Sequence, residues 1–279
     1  MRRTHETSLA MFLITALSAL AGARPAAAGP FADKNLEAAV RAVLQHDPKA
    51  DLTDEKLLNV YILEAPGKEI KDLAGLEKCK NLALLRINKN QVADLKPLKE
   101  LSNLQSLDLA DNKVADIGPL AQLKALQYLE LSNNQVVDVK PLKDLTNLSA
   151  LYLSGNKIAD VAPLGSLTKL SSLYLGHNQL KDVGPISGVT RLSILDLKEN
   201  QVEDLAPLAK QTELKMLFLE RNQIKDLGPL ATAAKADAAG PNRFAPFLRL
   251  YLAGNPLSDA AKKEQIDALK AAGVRVESQ

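Results

Sequence analysis

The sequence of 279 residues has no tryptophan, a single cysteine and three histidines, and aromatic residues make up 4% of it. One cysteine excludes an internal disulfide, so the stability of the fold must come from packing. From Gly29 onward only His46 and His177 remain, and neither has a second His or Cys at a matching position in the repeat described below. The sequence therefore lacks the parts of a metal site or a nucleophile–base pair, and it predicts no cofactor.

The N-terminal segment, residues 1–28, has the features of a secretory signal peptide. It begins with Arg2 and Arg3, continues with an apolar run over 9–21, and ends with three alanines before Gly29. The run is shorter than an ordinary membrane span, so we expect cleavage, with an uncleaved anchor as the alternative. We expect an exported protein, periplasmic or secreted, with no membrane insertion after cleavage.

The chain from Gly29 onward carries no net charge. Removing Arg2, Arg3, Arg24 and Glu6 leaves 35 − 3 = 32 basic and 33 − 1 = 32 acidic residues. A neutral protein has no general attraction to nucleic acid or to anionic lipid. We therefore expect no nucleic-acid partner.

The chain does have a 22-residue repeat. Seven asparagines mark it: Asn90, Asn112, Asn134, Asn156, Asn178, Asn200 and Asn222. Around each, the pattern is L-x-x-L-x-L-x-x-N-x-[VIL]-x-D-[LVI]-x-P-L. A degenerate turn precedes the series, with Lys68 in place of Asn, and another follows, which begins at Phe247 and reaches its Asn late, at Asn255. The sequence predicts nine turns.

Each part of the pattern has a structural reason. Alternation in Leu-x-Leu predicts a short strand. A buried Asn amide can both donate to and accept from backbone groups at the turn. The Asp column can cap a short helical turn before proline, and a stack of calcium sites is the alternative. That column consists of Asp72, Asp94, Asp116, Asp138, Asp160, Asp182, Asp204, Asp226 and Asp259. One turn cannot cover its own apolar side, so the turns must stack.

The pattern resembles the 22-residue leucine-rich repeat of the internalin-like and phosphatase-regulatory type. The resemblance implies an α/β right-handed solenoid with a parallel sheet on its concave face and short 3-10 or helical turns on its convex face. It also implies a helical N-terminal cap at 29–56, a solenoid at 57–257 and a helix–strand cap at 258–279. In the first cap, Asp33 would begin a helix whose apolar face contains Leu36, Ala39, Val40, Val43 and Leu44; in the last, the covering residues would be Ile266, Leu269, Val274 and Val276.

The candidate site lies on the outward side of the strands. In this architecture the residues six, four and two positions before each Asn point away from the core. Five of the nine aromatic residues after residue 28 fall in these columns, although aromatic residues also favour strands in general. The predicted partner-binding residues are Arg86, Asp108, Tyr128, Glu130, Tyr152, Tyr174, Asp196, Phe218 and Tyr251.

The function we expect is a non-catalytic scaffold, a monomer, that binds a macromolecule. The resemblance implies a protein ligand. Carbohydrate is an alternative, because Tyr152, Tyr174 and Tyr251 could stack on sugar rings, and a regulatory subunit that clamps an enzyme is another. The charged residues Arg86, Asp108 and Glu130 are open to three interpretations: an acidic recognition spot, a carboxylate pair for hydrolysis, or an exposed row of salt bridges.

Four further positions carry smaller predictions. Cys79 occupies an apolar column and is expected to be buried. Gln211 interrupts the same column and is expected to loosen the convex side. His177 is expected to be a solvated turn residue. The Ala-rich insertion at 231–246 predicts a mobile bulge or a short helix.

Overall fold

The computed structural model describes residues 29–45 and 51–278. The predicted signal peptide at 1–28 and His46 lie outside these residues. In the described ranges, no helix has the length and apolar character needed to cross a bilayer.

Ten short parallel strands form one sheet in strict chain order, β1 to β10. They are Ile62–Glu64, Leu84–Arg86, Ser106–Asp108, Tyr128–Glu130, Ala150–Tyr152, Ser172–Tyr174, Ile194–Asp196, Met216–Phe218, Arg249–Tyr251 and Arg275–Glu277. Each residue of β1 to β7 pairs with the residue 22 positions later on the next strand, so the repeat of the sequence is the register of the sheet, and the step lengthens to 33 between β8 and β9. The predicted solenoid is confirmed.

From the degenerate turn to the sixth regular turn, the return path is a 3-10 helix that begins two to four residues after the Asp of the pattern. These helices are Leu76–Lys78, Lys96–Leu98, Gly118–Gln122, Lys140–Leu142, Ala162–Ser166, Gly184–Gly188 and Ala206–Lys210. From Asp94 to Asp226, each Asp Oδ1 accepts a hydrogen bond from the backbone N–H two residues later, at 2.7–3.0 Å. The predicted capping is confirmed. Asp259 is the exception, since here the Ser258 hydroxyl accepts from the Ala261 N–H at 3.1 Å, at the start of a π-helix over Ala261–Gln265 that leads into the last helix.

The Asn column ties each turn to the one before it. Asn156 shows the pattern: its Oδ1 accepts from the Val136 N–H at 2.9 Å, and its Nδ2 donates to the carbonyls of Leu131 and Leu153. All seven regular Asn side chains are buried. The contacts run from side chain to backbone rather than between Asn side chains. Asn255 continues the column across the delayed turn, because its Oδ1 accepts from the Asn222 and Ile224 N–H groups.

One continuous apolar core fills the space between the strands and the 3-10 helices. Cys79 is fully buried in it, as predicted, and burial raises the pKa of its thiol to about 12. Phe247 was expected to begin the ninth turn inside the core, but it is 59% exposed and Leu248 is buried instead. The reason is local, because a turn places Phe244 and Leu248 on the inner side.

Gln211 does not loosen the convex side as expected. Its side chain is buried, and Nε2 donates to the Ile186 carbonyl of the preceding turn at 2.9 Å. The Gln amide thus bridges two turns at a position where the other turns carry an apolar side chain.

The N-terminal cap consists of α1 (Lys34–Leu44) and α2 (Asp54–Leu57). Leu36 and Val40 are buried against the first turn as predicted, whereas Val43 is 40% exposed and does not belong to the apolar face. Asp33 caps α1 through Oδ1, and its Oδ2 accepts from the backbone N–H groups of Lys71 and Asp72. One carboxylate therefore begins the helix and fastens it to the degenerate turn.

The insertion forms a helix, α3 (Gly228–Ala238), followed by a loop that leads into β9. Buried Asp237 organises that loop by accepting from the backbone N–H groups of Arg243, Phe244 and Ala245 at 2.9–3.0 Å. Of the two alternatives for 231–246, the helix is therefore the one observed. The C-terminal cap ends with α4 (Ile266–Ala271) and β10, where Ile266, Leu269 and Val274 close the core.

Candidate binding surface

The sheet face, meaning the outward side chains of the first and third residue of each strand, displays the predicted site residues. The middle residue of each strand from β1 to β9 is a buried leucine. Because side chains alternate along a strand, the first and third residues point the other way. The nine predicted residues all lie on this face, with Tyr128 at a first position and the other eight at third positions. The third-position residues are in direct register from strand to strand.

Three tyrosines form a continuous stack across β4, β5 and β6. The ring centroids of Tyr152 and Tyr174 are 4.6 Å apart with an interplanar angle of 13°. Tyr128 joins them, with its centroid 5.4 Å from that of Tyr152 and a tilt of 45°. Burial, helped by the Glu130 and Asp108 carboxylates, raises the pKa of Tyr128 to about 12. We call these three residues the tyrosine stack; all three are partly exposed rather than part of the core.

A second aromatic pair lies two strands further along. The rings of Phe218 and Tyr251 stack at 4.6 Å with an interplanar angle of 12°. Between this pair and Tyr174, the third position of β7 is occupied by Asp196. The aromatic row is therefore interrupted by one carboxylate.

Asp196 is the one predicted site residue that the structure buries, with only 4% of the residue exposed. Its Oδ1 accepts from the Lys198 backbone N–H at 3.0 Å, and the Lys198 ammonium lies 3.7 Å from Oδ2. Burial raises the pKa of this carboxyl above its ordinary value, and the contacts with Lys198 offset that effect only in part.

The charged end of the sheet face is a row of ion pairs that does not include every predicted member. Arg86 contacts Glu64 at 2.5 Å and Asp108 at 3.7 Å. Glu130 has no ion pair with any described residue, and its Oε1 accepts from the Ser132 backbone N–H at 2.7 Å. Burial raises the pKa of Glu130, and the nearby carboxylates of Asp108 and Asp111 add to this. The salt-bridge interpretation thus fits Arg86 and Asp108 but not Glu130.

A rim beside the sheet face was not anticipated from the sequence. The residue just before each Asn has a positive φ, as at His177, Glu199 and Arg221. His177 is half exposed, as expected of a turn residue, but its Nδ1 lies 2.9 Å from Glu199, which also pairs with Arg221 at 2.7 Å. A cleft of about 530 Å³ opens beside them. Applying the 22-residue step to the position before Asn would have found this column.

No group of three or more His, Cys, Asp or Glu side chains that could hold a metal ion is found in the part of the chain that the structure describes.

The family comparisons agree with the repeat register. The family model "Leucine Rich repeats (2 copies)" matches residues 102–144, 146–188 and 168–210. The chain is built of leucine-rich repeats. Among the curated proteins, no match to this leucine-rich repeat chain was found.

Solved structures with a similar fold include two internalins of Listeria monocytogenes. Internalin InlF is 27% identical over 90% of each chain, with a TM-score of 0.64. Internalin C2 is 28% identical over 90% of this chain and 95% of that one, with a TM-score of 0.62. A leucine-rich repeat protein of Leptospira interrogans shares the fold alone, at 21% identity over 72% of this chain and 62% of that chain, with a TM-score of 0.52. The fold is thus internalin-like, a fold that typically binds proteins.

Proposed function

We propose that this leucine-rich repeat protein is a non-catalytic scaffold that binds a protein partner through its sheet face. The observation that carries the proposal is the tyrosine stack. Partly exposed aromatic side chains on a rigid surface supply large contact area at little entropic cost, and such residues dominate the binding energy of many protein interfaces. Tyr152 and Tyr174 are held by the strand register, so the surface is already organised before a partner arrives.

The geometry favours a protein over a carbohydrate ligand. A sugar ring stacks on an open aromatic face, but the face-to-face contact between Tyr152 and Tyr174 covers one face of each ring. Phe218 and Tyr251 cover each other in the same way. Each ring therefore keeps at most one face that is not stacked on its partner, whereas the ring edges and the tyrosine hydroxyl groups suit apolar and polar side chains of a protein.

The test is affinity capture with the native envelope extract as the source of partners. The bait carrying Tyr152→Ala and Tyr174→Ala should lose the captured protein while it keeps its folded far-UV spectrum. The matched control carries Tyr61→Ala and Phe247→Ala, which removes two exposed aromatic side chains outside the sheet face, and it should capture the partner as the wild type does. Equal recovery on all three baits would place the binding site elsewhere.

We also propose that the chain is exported and that residues 1–28 are removed. Support comes from the basic start, the short apolar run and the small residues before Gly29. N-terminal sequencing of the protein recovered from its host should begin at Gly29. A sequence that begins at Met1 or its neighbour would refute cleavage without affecting the proposal for the sheet face.

A further inference from the structure

Two carboxylates bracket the best-stacked tyrosines in one row of the sheet face. The third-position residues of β4 to β7 are Glu130, Tyr152, Tyr174 and Asp196, each in direct register with the next. Adjacent strands lie about 4.8 Å apart, so the two carboxylate residues are separated by about 14 Å. The order along this row, across the strands, is therefore carboxylate, ring, ring, carboxylate.

Neither carboxylate has a cation that fully compensates its charge. Glu130 has no ion pair within the described residues, and the Lys198 ammonium stays 3.7 Å from Asp196, beyond hydrogen-bond distance. Each acid does accept one backbone N–H two residues ahead. The fold does not require that bond, because the third residue of β5 and of β6 is a tyrosine, which has no carboxylate to accept it.

Two buried or half-buried carboxylates whose charges are not fully compensated are expected to gain from a cation brought by a ligand. Burial weakens the hydration of an ionised group, so a cation that reaches it interacts more strongly than at an open surface. The rings beside the acids add a second attraction for cations, since aromatic faces attract guanidinium and ammonium groups.

We propose that the partner lays an extended segment across the sheet face, with two basic side chains four residues apart and an apolar side chain midway between them. This inference rests on the proposed function and specifies its ligand. An extended chain advances about 3.3 Å per residue, so side chains i and i+4 on one face are about 13 Å apart and match the spacing of Glu130 and Asp196. Side chain i+2 then lies over the edges of Tyr152 and Tyr174.

Arginine suits the two ends better than lysine. Its planar guanidinium can bind a carboxylate through two parallel hydrogen bonds and can stack on an adjacent ring. At Asp196 it meets Lys198, whose ammonium is the nearest resident cation. The incoming guanidinium displaces that ammonium, so Lys198 competes with the ligand, and removing its charge should tighten binding.

The experiment selects displayed random 12-residue peptides on the full wild-type chain and measures the enriched peptides by titration. The enriched sequences should share two basic residues at i and i+4 with an apolar residue at i+2. Their affinity should fall about tenfold with Glu130→Gln and about tenfold with Asp196→Asn. Lys198→Met should raise it, and Glu100→Gln, which neutralises an exposed acid away from the sheet face, should leave it unchanged.

The variants separate this inference from the function on which it rests. Suppose that the peptides lose binding to the Tyr152→Ala plus Tyr174→Ala variant but bind the Glu130→Gln and Asp196→Asn variants as they bind the wild type. That result would overturn the basic-pair motif and would keep the sheet face as the binding surface. Selected peptides that bind all of these variants equally would overturn both. A selection that enriches no basic pair overturns the motif as well.

Discussion

Polar side chains in the interior of the solenoid make several hydrogen bonds to backbone groups, whereas the buried acids of the sheet face make few. In the interior, Asn156 bonds both to the preceding turn and to its own, and Asp237 accepts three backbone N–H groups. On the sheet face, Glu130 and Asp196 accept one N–H each.

The carboxyl pKa values follow the number of backbone N–H groups that each carboxylate accepts from. Burial alone would raise the pKa of Asp33 and of Asp237, but their several backbone donors outweigh it and lower both values. For Glu130 and Asp196, burial dominates and the pKa values are raised. These opposite directions predict that ionised Asp33 and Asp237 stabilise the fold, whereas ionised Glu130 and Asp196 reduce its stability. A ligand that brings a cation to Glu130 and Asp196 would offset this cost.

The largest expected loss of stability comes from the substitution Asn156→Ala, which interrupts the buried Asn column. The change leaves the buried Val136 N–H without a partner and takes one of two amide donors from each of the Leu131 and Leu153 carbonyls, so the free energy of unfolding should fall by about 3 kcal/mol. Urea denaturation followed by circular dichroism measures it. Asn147→Ala, which removes exposed bonds to the Lys124 carbonyl and from the Lys169 ammonium, is the control and should cost less than about 1 kcal/mol. Equal losses would contradict a special role for the interior column.

Asp237→Ala should cost about 2 kcal/mol, because the loop after α3 loses its common acceptor. The damage should be local at first. Limited proteolysis is expected to cut the variant within 239–247 under conditions where the wild type is intact. A variant that resists cleavage there would show that packing of Phe244 holds the loop without the carboxylate.

Acid titration sharpens the comparison because the pKa values of Asp33 and Asp237 are lowered in the fold, whereas those of Glu130 and Asp196 are raised. The stabilising contributions of Asp33 and Asp237 are present above the ordinary carboxyl pKa of about 3.9 and are lost as the pH falls below it. Glu130 and Asp196 bind protons more tightly in the folded state, so stability should rise as the pH falls through their raised pKa values. Unfolding measured from neutral to strongly acidic pH should therefore show a maximum. Glu130→Gln plus Asp196→Asn should abolish the rise and keep the acid-side loss.

The smallest effect is expected from Asp196→Asn at neutral pH. Asparagine keeps an oxygen for the Lys198 N–H and removes the buried charge, so the free energy of unfolding should stay within about 0.5 kcal/mol of the wild type or increase. Thermal unfolding measures it. A loss of about 2 kcal/mol or more, the size expected when a buried structural hydrogen bond is broken, would mean that the Asp196 carboxylate is structural. The argument for a cationic ligand would fail with it.

The repeat made most of the fold predictable, because a fixed register from turn to turn determines which side chains face the core. The predictions that failed lie where the period breaks. Phe247 follows the insertion, where a turn rotates the chain, and Val43 belongs to a helix whose packing partner is the degenerate first turn. Gln211 was misjudged because a buried amide can bond across turns.

The site was predictable in its composition but not in its electrostatics. The register placed Tyr152, Tyr174 and Asp196 on one face from the sequence alone. The burial of Asp196 depends on the shapes of both neighbouring side chains and of Lys198, and no single position in the sequence records that. The double role of Asp33 likewise required the fold, since Lys71 is 38 residues away.

Hydroxyl-radical footprinting of the chain with its captured partner tests the central claim most directly. Aromatic side chains react where they are exposed, and the chain supplies internal standards in Tyr61 and Phe247, which are exposed outside the sheet face. The account predicts that the partner protects Tyr128, Tyr152 and Tyr174 while Tyr61 and Phe247 react as before. Protection of Tyr61 or Phe247 with an unchanged tyrosine stack would contradict it.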